Sequence, residues 1–152
     1  MPISQNAVFT GPCESNDDFD HPAGYSLADS LRLFLREDDW NGDSPDNWRD
    51  VGWSLNLSKD GAELEIVISE IEHQKWIMQI YPSKVPKLSL FSKILGKKQV
   101  ELPSATPSDC FNASLQVSKF LQNSNYSDTV WCWDGFAYQE NATTAPGKPN
   151  ER

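Results

Sequence analysis

The sequence predicts an α+β domain in which an antiparallel β-sheet, a three-stranded meander plus a C-terminal strand, is covered on one face by two α-helices. Two observations carry this prediction: alternating apolar residues flank an Asp-Gly pair, and two stretches with apolar residues at helical spacing follow helix-start signals. The element order, helix, three strands, helix, strand, lacks the regular β-α-β alternation of a parallel sheet. A chain of 152 residues is the size of one domain, and its 38% apolar content is enough for a core.

Residues 1–24 mix Gly, Pro, Asn and acids, with Val8, Phe9 and Phe19 to anchor them. They read as an extended N-terminal arm. Residues 25–138 then form the single domain. Ser26-Leu27-Ala28-Asp29 resembles a capping box, and Leu27, Leu31, Phe34 and Leu35 form one stripe, so the first helix is expected at 27–37. Trp53, Leu55 and Leu57 alternate with polar residues up to Asp60-Gly61, after which Leu64, Ile66 and Ile68 alternate again, which is a hairpin pattern. Trp76, Met78 and Ile80 supply a third strand, ended by Pro82 because proline cannot donate to a ladder. Residues 83–102 allow a helical turn, a strand or a flap. Thr106-Pro107-Ser108-Asp109 starts a second helix over 107–122, whose stripe of Cys110, Ala113, Val117, Phe120 and Leu121 makes Cys110 a core thiol. Val130–Trp133 is the last strand, and 139–152 is expected to be a flexible C-terminal tail.

Thirteen Lys and Arg against twenty-two Asp and Glu give a formal charge of -9, which repels nucleic acid and anionic membrane surfaces. The acids concentrate in residues 1–74, and residues 75–98 contain six Lys and no acid. With no signal-peptide pattern and three unpaired-looking cysteines, Cys13, Cys110 and Cys132, the expected compartment is the cytoplasm and no disulfide frame is expected.

Catalytic patterns are sparse. There is no G-x-S-x-G, and His21 and His73 are the two histidines, so an enzyme is not the expectation. Neither Cys pairs nor His at i and i+4 occur, so no metal or cofactor is expected. The segment from Asp38 to Asp50 stands apart. Asp39, Asn41, Asp43 and Asp50 match positions 1, 3, 5 and 12 of an EF-hand loop, but Ser44 stands where that loop needs Gly, and a strand follows instead of a helix. The same segment places Trp40 and Trp48 among acids outside any periodic element, where aromatic anchors and steering charges would serve a protein interface; the bland alternative folds both indoles back over the sheet edge. Asp38, Asp39, Trp40, Asp43, Asp46, Trp48 and Asp50 are therefore the expected partner-binding residues. The partner is expected to be a basic protein, such as a toxin nuclease neutralised by an acidic inhibitor of the immunity or antitoxin type. Two alternatives stand beside it: a calcium- or carbohydrate-binding module with Trp131 and Trp133 as a stacking platform, and a hydrolase built on paired carboxylates.

Overall fold

The computed structural model describes residues 4–12, 22–84, 104–135 and 142–149. Its elements run β1 (Gln5–Thr10), α1 (Tyr25–Arg36), β2 (Asp46–Trp48), β3 (Gly52–Lys59), β4 (Ala62–Glu72), β5 (Lys75–Pro82), α2 (Pro107–Gln122) and β6 (Ser127–Trp133). The strands form one antiparallel sheet in the order β2-β3-β4-β5-β1-β6. The α+β class is as expected; the sheet has six strands rather than four.

The expected meander is present. Lys59 pairs with Ala62 across Asp60 and Gly61, both at positive φ (49° and 85°), the backbone that a two-residue hairpin loop of right-handed strands requires. Asp tolerates this region and Gly meets no steric penalty there, so the dipeptide sets the register of β3 on β4. α2 spans the expected 107–122 and carries the expected box: the Thr106 hydroxyl accepts from the Asp109 amide at 3.2 Å, and the Asp109 carboxylate accepts from the Thr106 amide at 2.8 Å. In α1 the expected box is absent. The helix begins one residue before Ser26, behind Gly24 at φ 110° and with no side-chain cap, and Asp29 pairs instead with Arg32 at 2.7 Å.

Two strands lie where none was expected. β1 falls within the expected N-terminal arm, yet it is an interior strand between β5 and β6, with Ala7 and Phe9 in the core. Within the expected flexible tail, residues 142–149 are described. Thr143 and Trp131 exchange backbone hydrogen bonds of 2.9 and 2.7 Å at the β6 edge, and the Trp133 indole donates to the Gly147 carbonyl at 2.9 Å.

The core lies between the sheet and the two helices. Trp53, Leu55, Leu57, Leu64, Ile66, Ile68, Trp76, Met78, Ile80 and Trp131 line one sheet face, and Leu27, Leu31 and Leu35 of α1 join Cys110, Ala113, Val117 and Leu121 of α2 above them. Phe34 and Phe120 bridge the helices, ring centroids 5.6 Å apart. On the face opposite the two described helices, Val8, Ile77, Val130, Cys132 and Ala142 form a small second cluster. No helix among the described residues is long and apolar enough to cross a membrane. Of the ambiguous 83–102 segment, residues 85–102 lie outside the described part, as do Cys13 and His21.

Candidate functional site

The acidic segment is not a free loop; it is the edge of the sheet. It leaves α1 through Asp39, whose left-handed φ of 65° breaks the helix, and the Trp40 amide still donates to Leu35 O at 3.1 Å. Asn41 then bridges Ser58, and Asp46, Asn47 and Trp48 pair with Ser54, Trp53 and Gly52. Five steps along the segment, from Asn41 to Asp46, therefore match four along β3, from Ser58 to Ser54. The extra residue is a bulge. Gly42 sits against β3 within it, where an added Cβ would lie 2.2 Å from Asn56 O, and Pro45 is buried.

The bulge sorts the seven expected partner-binding residues. Trp40 lies in the core at 2% exposure, with its indole nitrogen lacking a hydrogen-bond partner, so it presents no surface to a partner. This corrects its expected role as an anchor. Asp38 accepts from Lys59 at 3.3 Å, and Lys59 lies 5.9 Å from the Trp40 ring centroid, so that carboxylate is tied to a local cation covering the buried indole. Asp39, Asp43, Asp46 and Asp50 are exposed and Trp48 is half-buried.

Trp48 is held by a strained turn. Arg49 and Asp50 both have left-handed φ, 52° and 60°, and the turn is closed by Val51 N–H donating to Trp48 O at 3.1 Å and Asp50 N–H donating to Asn47 Oδ1 at 2.9 Å. Two consecutive non-glycine residues in this region cost about 1–2 kcal/mol each. The Arg49 guanidinium stacks over Trp48, 5.0 Å from its ring centroid.

Register extends this edge onto the face opposite the two described helices. Asp46 lies in one row with Ser54, Val67 and Gln79, and Asn56 in the next with Glu65 and Tyr81. Burial, then the charge and hydrogen bond of Glu65, raise the Tyr81 hydroxyl above its usual range, while Arg49 opposes the shift. Tyr81 and Glu65 were not among the expected site residues. The signal was present in the outward phase of the two strands, but only the pairing register shows that the two residues share a row with Asn56.

Two clefts flank the segment. One, of about 610 Å³, is lined by Arg36, Asn41, Gly42, Asp43, Asn56, Leu57, Ser58, Glu63 and Ser83. The other, of about 420 Å³, has Trp40, Lys59, Asp60, Asp109 and Asn112 in its lining. Each contains two carboxylates, the raw material of the hydrolase alternative, although Asp109 in the second is already bonded to Thr106 as a helix cap.

The remaining expectations meet the geometry as follows. Asp39 and Asp43 are separated from Asp50 by the extended strand β2, which keeps them from closing a calcium loop, and among the described residues no group of three or more His, Cys, Asp or Glu is placed to hold a metal. Trp131 is fully buried and Trp133 is half-buried and bonded to Gly147, so they form no exposed stacking platform. Cys110, on α2, and Cys132, on β6, are buried on opposite sides of the sheet. Burial, reinforced by Asp109, pushes the Cys110 thiol up to about 12, so it stays protonated and unreactive at neutral pH. Searches against known proteins found no matching family model, no matching curated protein and no matching solved structure.

Proposed function

We propose that this protein acts by binding a basic protein through its sheet edge and the adjoining face opposite the two described helices, and that it is an acidic inhibitor of the immunity or antitoxin type. The observation that carries the reading is the setting of Trp48: half-buried, stacked against Arg49, and flanked by the exposed carboxylates of Asp46 and Asp50. Trp, Tyr and Arg are the residue types enriched at interface hot spots; Trp48 and Arg49 are stacked here, and Tyr81 lies further along the same sheet face, within reach of the Arg49 charge. The surrounding acids supply steering toward a positive surface. Asp46, the buried Pro45 and the bulge also discourage another strand from adding to this edge, which favours recognition by side chains over strand addition.

The test is capture from the native host at low salt, with wild type and Trp48→Ala side by side. The reading expects one basic protein to be retained by wild type, released as salt rises, and blocked in its own activity by stoichiometric addition. Trp48→Ala is expected to weaken the complex by about 2 kcal/mol or more while remaining folded. Equal retention by the folded variant would remove Trp48 from the interface, and a partner without net positive charge would remove the electrostatic basis.

A further inference from the structure

The cleft of about 610 Å³ is bounded by three charged side chains on three elements: Arg36 at the end of α1, Asp43 in the bulge and Glu63 in β4. None of the three makes an ion pair with another described residue, unlike Asp38 and Asp29, whose partners are Lys59 and Arg32. Asn41 uses its amide nitrogen on Asp39 O, which leaves its carbonyl oxygen without a described donor, and Asn56 and Ser58 add exposed polar groups. Leu57 is the one large apolar residue among the described lining residues. The opening is fixed in place from below. Gly42 is pressed onto Asn56 O and Leu57, and Glu63 has its amide and carbonyl tied to Ser104 and Ser83.

We propose that this cleft is a socket for one arginine side chain of the partner, with Asp43 and Glu63 as its carboxylates. The inference rests on the protein-binding reading and deepens it, because Asp43 belongs both to the cleft and to the acidic edge. A guanidinium offers five donors in a planar fork, and the cleft offers two carboxylates and the Asn41 carbonyl as acceptors. Among the described lining residues Arg36 is the one opposing charge, so these side chains sum to a formal charge of -1 from two carboxylates and one guanidinium. The sign of each charge change is therefore determined. Neutralising Asp43 or Glu63 weakens a bound cation, and neutralising Arg36 strengthens it.

The experiment is titration of the full chain with N-acetyl-arginine amide, followed by amide chemical shifts, with N-acetyl-norleucine amide and N-acetyl-glutamate amide as controls. The expected result is saturable movement of the Gly42, Asp43 and Glu63 resonances by the arginine probe alone. Affinity should fall about tenfold in Asp43→Asn and in Glu63→Gln, as loss of a charge-assisted hydrogen bond implies, and rise in Arg36→Gln. All three positions are exposed, so these variants should fold. Absence of saturation by the arginine probe overturns the proposal, as does preference for the glutamate probe with loss in Arg36→Gln, which would make the cleft an anion site. Partner capture separates this failure from that of the wider reading: capture that depends on Trp48 but not on Asp43 or Glu63 ends the socket alone, whereas capture indifferent to all three ends both.

Discussion

Trp40 and Trp48 stand an even number of residues apart in one extended segment, where strict alternation would put them on the same side, yet they face opposite sides of the sheet. Asn41 and Ser58 exchange backbone hydrogen bonds of 2.9 and 2.8 Å, which sends Trp40 inward, and the extra residue before Asp46 reverses the phase. One bulge thus gives the core an indole and gives the surface another.

The two tryptophans should respond differently to replacement. Trp40→Ala is expected to cost about 3–5 kcal/mol as a buried large-to-small change, while Trp40→Phe, which removes an indole N–H that has no partner, should cost no more than about 1.5 kcal/mol. Trp48→Ala should change stability by less than about 1 kcal/mol. Urea unfolding of the three variants checks this, and a Trp40→Ala protein as stable as wild type would contradict the burial.

Gly42 is needed for space rather than for a left-handed backbone. A Cβ there would lie 2.2 Å from Asn56 O and 2.9 Å from Leu57 Cδ2, so Gly42→Ala must push the bulge off β3. A loss of about 1–3 kcal/mol is expected, read as a lower urea midpoint with an unchanged slope.

At the start of α2, Thr106→Ala should cost about 1 kcal/mol, because the Asp109 amide loses its acceptor. Asp109→Ala should cost a similar amount, and the double variant less than the sum, since both remove the same reciprocal pair. A double-mutant cycle by thermal melting measures the coupling.

Alkaline pH should destabilise the fold through two groups. The Cys110 thiol rises from 9.0 unfolded to about 12 folded, and Tyr81 rises from 10.0 in the same direction. For a raised acid the stabilisation is complete below the unfolded value and is lost as pH climbs toward the folded one. Unfolding midpoints should therefore decline above about pH 9, and Cys110→Ala should flatten the decline between pH 9 and 12. An identical pH slope in that variant would show that the thiol does not contribute.

Removal of residues 1–10 is expected to abolish folding. β1 pairs with both β5 and β6 and places Phe9 in the core, packed edge-on against Tyr126 with ring centroids 5.3 Å apart. Circular dichroism of the truncated chain checks this; a cooperative melt near that of wild type would contradict it.

The meander and α2 could be read from the sequence because their signals are local. Alternation around Asp60-Gly61 and a box spanning Thr106 to Asp109 each specify an element without reference to the rest of the chain. β1 was hidden because its inward row is Gln5, Ala7 and Phe9, a polar residue, a small one and one aromatic, which looks amphipathic only once Ile80, Met78 and Trp76 are known to lie beside it. The edge strand was hidden for a different reason: the bulge breaks its period, so Trp40 and Trp48 read alike. At the site, the exposed acids of the edge were legible from composition, while the burial of Trp40 and the row that joins Tyr81 and Glu65 to Asn56 follow only from pairing register.

The central position of β1 also sets a timetable for the newborn chain. Its six residues leave the ribosome before the other described elements, yet one of the two strands that flank it is completed only at Trp133. At about 5–20 residues per second, roughly ten seconds pass in which the β2–β5 meander can form while its β5 edge still waits for a settled neighbour. During that interval the open edge and the unburied Phe9 are what a chaperone would find, and slower elongation before β6 would lengthen the wait.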